Sequence, residues 1–145
     1  MKYRQGFTLI EMLLSVACLG IILAMTVPSY RMLQIRNDLD VSMITLVQSL
    51  RRAQLLSQTG SGDTPWGVYV GNGSILIFKG NSYISRDVSS DEETRTPTNI
   101  IVSGLSEVTF SKLYGLPSAA GTITLTGLEN QTRNVIINQK GMVDY

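Results

Sequence analysis

Between Phe7 and Val27 the chain reads FTLIEMLLSVACLGIILAMTV, an apolar run interrupted by one charge, Glu11. At about 1.5 Å per residue, a helix over these 21 residues spans roughly 30 Å, the hydrocarbon thickness of a bilayer. Apolar surface of that extent needs lipid or other helices around it, so the run is a candidate membrane span. Lys2 and Arg4 precede it. By the positive-inside rule they hold the N-terminus in the cytoplasm and send everything after Val27 to the far side.

Two details do not suit an ordinary anchor. A carboxylate in hydrocarbon costs several kcal/mol unless it is paired or near the interface, which marks Glu11 as a functional candidate; the plain alternative is that Glu11, one turn in, snorkels to the headgroups. The second detail is Gly6. An ordinary secretory signal is cut after its apolar region, whereas the small-residue boundary here lies in front of it.

Gly6-Phe7-Thr8-Leu9-Ile10-Glu11, behind a short basic leader and ahead of a membrane-length run closed by Pro28, resembles the processing site of type IV prepilins and type II secretion pseudopilins. The resemblance implies that a membrane peptidase cuts after Gly6 and that residues 1–6 are lost. It implies further that Phe7 becomes a methylated amino terminus and that Glu11 pairs with the Phe7 ammonium of a neighbouring subunit. Pairing of this kind would leave Glu11 neutralised within a filament core instead of bare.

Formal charge is +1 over 145 residues, and loss of Lys2 and Arg4 lowers it to −1. Such a balance gives no bulk reason to expect a nucleic-acid binder. The composition, 43% apolar and 16% charged, is that of a folding chain. Cys18 is the single cysteine and lies within the apolar run, so no internal disulfide forms and the remainder is held by its core alone. Ser15-Val16-Ala17-Cys18 faintly resembles a lipoprotein acylation site, but the usual Leu three residues before the Cys is absent and the apolar run continues beyond it. A small residue packed among helices is the better account.

Pro28 removes one backbone hydrogen bond and is expected to bend or locally melt the helix. The helical pattern nevertheless resumes: Met32, Ile35, Leu39, Met43, Leu46, Leu50 and Ala53 form one apolar stripe. One helix from about Thr8 to Ser57 is expected, ending near Gln58-Thr59-Gly60-Ser61-Gly62.

Beyond Gly62 the period becomes strand-like. Trp66–Val70 and Ser74–Phe78 flank Gly71-Asn72-Gly73, a hairpin signal; with no helix after it, the glycine pair is not a phosphate loop. Tyr83–Ser85 is expected to add a short strand. Arg86–Thr98 reads as a surface loop. It carries Asp87, Asp91, Glu92 and Glu93, a weak calcium candidate whose spacing fits no EF-hand and whose charge Arg86 and Arg95 partly neutralise. Further strands are expected at Asn99–Val102, Val108–Phe110, Thr122–Thr126, Asn134–Asn138 and Met142–Tyr145. The absence of histidine from the whole sequence removes the usual triads and His-bearing zinc sites, and a pair such as Asp91 and Glu93 has no evident pocket.

The resulting expectation is α+β: a long N-terminal helix packed on an antiparallel sheet, or on two sheets, as in the pilin fold. Residues 1–6 form the leader, 7–28 the membrane or filament-core half of the helix, 29–58 its amphipathic half, and 63–145 the exported β domain. Arg52-Ala53-Gln54, Trp66-Gly67-Val68-Tyr69 and Val135–Gly141 resemble the H-type pseudopilin and FimT-like branch. The resemblance implies a structural subunit, and some pseudopilins carry a calcium site in a late loop; no cofactor is expected, and calcium at Asp87, Asp91, Glu92 and Glu93 stays the weak metal candidate. The subunit's implied partners are other subunits, a prepilin peptidase, an inner-membrane assembly platform and the lipid bilayer, and its location is the inner membrane and then a filament. Two alternatives stand beside it: a filament-tip subunit for DNA uptake or adhesion, for which the scattered cations supply no nucleic-acid patch, and a bitopic membrane protein that does not polymerise.

Overall fold

The computed structural model describes residues 6–145 and, within them, all side chains except those of residues 25–32, 35 and 129. The chain divides into two units, Met1–Gln34 and Ile35–Tyr145. Helix α1 (Leu9–Gln58) contributes to both, as its uninterrupted pattern predicts. Its backbone stays helical through Pro28, so the proline does not melt it; the side chain of Pro28, and with it the expected kink, lies outside the described set.

In the first unit the described side chains from Gly6 to Ala24 are all exposed, including Cys18. Apart from Thr8, Glu11 and Ser15 the stretch is apolar on all sides, with no continuous polar face on which a water-soluble helix would rest.

The second unit is built of eight strands. β1 (Trp66–Gly71), β2 (Ser74–Lys79), β3 (Asp87–Arg95) and β5 (Glu107–Phe110) form one sheet in the order β3-β2-β1-β5. β4 (Ile101–Gly104), β6 (Gly121–Thr126), β7 (Thr132–Ile137) and β8 (Val143–Asp144) form the other, in the order β4-β6-β7-β8. All pairings are antiparallel. Alternate residues of the strands point to one core: Val68 and Val70, Ile75 and Ile77, Val108 and Phe110, Ile123 and Leu125, Val135 and Ile137. The period of two that makes these segments strands is the period that buries them. Leu39, Leu46, Val47, Leu50 and Ala53 of α1 enter the same core, and Met43 packs against it. The apolar stripe is therefore placed as expected, apart from Met32 and Ile35, whose side chains lie outside the described ones.

The helix stops where the glycines begin. Thr59 donates to the Leu55 carbonyl at 2.9 Å and Gly60 to that of Ser57 at 3.2 Å, with Gly60 at φ 67°, a left-handed conformation that costs glycine nothing. Ser57, fully buried, joins three parts of the unit. Its hydroxyl accepts from the Trp66 N–H at 2.9 Å, and its carbonyl accepts from the Leu113 N–H at 2.9 Å.

Two local expectations are corrected. No strand forms at Tyr83–Ser85: this segment bends back over the first sheet, stacking Tyr83 on Tyr69 with ring centroids 3.9 Å apart. The Tyr83 N–H donates to a Glu107 carboxylate oxygen at 2.8 Å, which satisfies it without a strand partner. Arg86–Thr98 is not a loop throughout either, because Asp87–Arg95 is the edge strand β3. Its composition is that of an edge: Glu92 lies opposite Ile77 and Glu93 opposite Leu76, while the pairing is irregular between Ile77 and Lys79. Charges and a bulge on an outer strand deter further pairing. β4 starts later than expected, at Ile101, since a turn beginning at Pro97 seats Ile100 in the core first; the Ile100 N–H donates to the Pro97 carbonyl at 3.3 Å.

Candidate processing and assembly segment

Phe7 and Thr8 lead into α1 in non-helical conformation, and Thr8 caps the helix. The Glu11 N–H donates to the Thr8 carbonyl at 3.1 Å and approaches the Thr8 hydroxyl at 3.4 Å; the Met12 N–H donates to the same carbonyl at 3.2 Å. Thr8-Leu9-Ile10-Glu11 thus has the Thr-x-x-Glu spacing that starts helices. This role of Thr8 was missed in the sequence reading, although a threonine three residues before a glutamate at the head of an apolar run is a usable signal. Glu11 sits in the first turn, where its negative charge complements the partial positive charge of the helix N-terminus. Ser15 donates its hydroxyl to the Glu11 carbonyl at 2.7 Å.

Among the described residues, a β-carbon placed on Gly6 would meet no atom within 4 Å. Nothing in the packing of the described residues therefore demands glycine there. Gly6 and Phe7 are exposed, so the peptide bond between them is open to an external agent.

Three of the four acidic residues of the weak calcium candidate are engaged separately. Asp91 pairs with Arg86 at 2.9 Å, and Glu92 receives both prongs of the Arg52 guanidinium at 2.8 Å. Asp87 accepts from the Ser89 N–H and hydroxyl and from the Ser90 hydroxyl. Among the described residues no group of three or more such ligands is assembled for a metal ion. The hydrogen bonds from Ser89, and then that from Ser90, hold the Asp87 carboxyl below its ordinary value. The hydrogen bond to Glu92 raises Arg52 and that to Asp91 raises Arg86. In the same way, the hydrogen bond from Lys112 lowers Asp63.

Among the described residues no helix is long and apolar enough to cross a membrane. The described side chains of the apolar run end at Ala24, short of Val27.

Residues 1–27 match the family of the prokaryotic N-terminal methylation motif. No curated protein and no solved structure matches the chain.

Proposed function

From a chain that carries the prokaryotic N-terminal methylation motif, consistent with type IV pilins and pseudopilins, we propose a structural subunit made as a membrane precursor. A prepilin peptidase removes residues 1–6 and Phe7 becomes the methylated terminus. The apolar run Phe7–Val27 waits in the inner membrane with the second unit outside, then leaves the bilayer, on an assembly platform, to pack among the same helices of other subunits in a filament. The resemblance of the second unit to the H-type pseudopilin branch is part of this proposal.

The observation that carries the reading is the contrast between Gly6 and its surroundings. A β-carbon on Gly6 meets no described atom, so packing of the described residues does not call for glycine there, and a peptidase that accepts only a small side chain would account for it. The described start of the helix that follows, to Ala24, is exposed throughout and apolar apart from Glu11 and Ser15, a surface that water does not tolerate and that lipid, and then other helices, would cover.

The test is mass spectrometry of protein recovered from a host with the cognate peptidase. Wild type is expected to begin with methylated Phe7, and Gly6→Val to retain its leader, because a site shaped for a hydrogen cannot seat a branched side chain. Circular dichroism of Gly6→Val matching wild type shows that misfolding does not explain a block. Normal maturation of that variant would overturn the reading.

A further inference from the structure

We propose that the cleft between the outer half of α1 and the turn joining β7 to β8 binds an acidic protein segment, one that offers a carboxylate beside an apolar side chain. The cleft, about 430 Å³, is lined by Arg51, Gln54, Lys140, Gly141, Met142 and Val143. Its two cations differ from several others of the unit. Arg52, Arg86, Lys112 and Arg133 each stand in an ion pair with a carboxylate, whereas among the described residues Arg51 and Lys140 stand in none. Two like charges converging on one concave surface raise its potential and favour an anion.

The walls are set before any ligand arrives. Asn138 accepts from the N–H groups of Lys140 and Met142, both at 2.9 Å, and Gly141 takes φ 80°, so Lys140 is presented from a pinned turn. A β-carbon on Gly141 would stand 2.8 Å from the Gly115 carbonyl oxygen, which shows how closely the turn seats. On the other wall, Gln54 donates to that carbonyl at 2.9 Å. Arg51 lies over the Tyr145 ring, 5.9 Å from its centroid, a cation–π placement that orients the guanidinium.

The chemistry selects the ligand. A guanidinium fork grips a planar carboxylate through two hydrogen bonds, while lysine supplies a point charge. Met142 and Val143 add an adaptable apolar wall. A nucleic acid would need many phosphates neutralised along a track, which the two cations of this cleft do not supply. The inference does not depend on filament assembly, so the two stand or fall separately.

The experiment uses the full chain in detergent and a fluorescent acetyl-Asp-Leu-Glu-Leu-Glu-amide peptide, read by anisotropy. Saturable binding is expected, and Arg51→Ala or Lys140→Ala should each weaken it about ten-fold, the loss of one charge-assisted contact. Arg51→Lys is expected to fall between, Lys112→Ala to leave binding unchanged, and Met142→Glu to abolish it by placing a carboxylate in the cleft. Unchanged circular dichroism establishes that the variants are folded; Arg51 and Lys140 are exposed. Equal binding of the peptide with Asn and Gln in place of the acids would overturn the proposal. So would wild-type affinity in both alanine variants, competition by inorganic phosphate as strong as by the peptide, or tighter binding of duplex DNA through Arg51 and Lys140.

Discussion

The ring of Phe78 lies across the backbone of Gly67, its cross-strand partner in the β1–β2 pair. A β-carbon on Gly67 would stand 2.5 Å from Phe78 Cζ and 2.7 Å from Thr109 Cγ2. Phe78 is fully buried and meets Tyr83 edge to face at 6.2 Å, so the ring has nowhere to retreat. Gly67→Ala is therefore expected to destabilise the second unit by about 1–3 kcal/mol, as overpacking does. Chemical denaturation of the two proteins checks it. A gain in stability would mean that the ring moves aside without cost.

Two buried serines on α1 give opposite expectations. Ser57 receives the Trp66 N–H, so Ser57→Ala strands a buried donor and should cost about 1–3 kcal/mol. The Ser42 hydroxyl is buried without a partner. Its replacement by Ala gives up no hydrogen bond and should be neutral or stabilising by up to about 1 kcal/mol. Denaturation midpoints for the pair test this directly; equal losses would show that both hydroxyls are satisfied in solution.

How much of this was legible in the sequence varies with the source of the signal. Leu39, Leu46 and Leu50 lie in the core because burial itself creates their spacing. The Asn72-Gly73 turn was equally clear, since Gly71 pairs with Ser74 and Gly73 sits at φ 90°. β3 was not legible. Its residues are polar on both faces, and what makes it a strand is β2 beside it together with long-range pairs such as Arg52 with Glu92, 40 positions apart. Tyr83–Ser85 failed in the opposite sense: its strand-like residues are used in a ring stack and a bond to Glu107, neither of which leaves a periodic trace. At the candidate processing site Gly6, Phe7 and Glu11 were readable as a motif. The openness around Gly6 was not, being a property of what is absent nearby.

Two exposed carboxyls, Asp87 of the edge strand and Asp63 of the turn after α1, make stability depend on pH in a definite direction. Asp87 is held below its ordinary value by the Ser89 and Ser90 hydrogen bonds, and Asp63 by Lys112. A lowered carboxyl contributes stability that is present above its unfolded value and is lost as the pH falls through its folded value. The arginines raised by Glu92 and Asp91 stay charged throughout this range. Thermal stability is thus expected to fall on acidification below about pH 4, the region of ordinary aspartates. Asp87→Asn should flatten part of that slope. Both groups are exposed, so the effect is small, and a variant with an unchanged slope would remove Asp87 from the account.

The final prediction separates two roles of Glu11. As the fourth member of Thr8-Leu9-Ile10-Glu11 it supports the start of α1, a local effect of about 0.3–1 kcal/mol for a charge at a helix N-terminus. In the proposed filament it also pairs with the Phe7 ammonium of a neighbour. There the loss of one partner leaves a desolvated charge alone, which costs more than lacking both. Glu11→Ala is expected to insert and to be cut after Gly6, yet to be lost or sharply reduced in sheared filaments. Glu11→Gln should be intermediate, keeping a hydrogen bond without the charge. Thr8→Ala distinguishes the roles: it removes the hydroxyl near the Glu11 N–H while the carboxylate remains, so it should assemble close to normally. Coexpression with the assembly machinery, comparing membrane and filament fractions, reads all three. If Thr8→Ala fails as Glu11→Ala does, the requirement lies in the helix start; if Glu11→Ala assembles normally, the pairing has no part in setting the axial step between subunits.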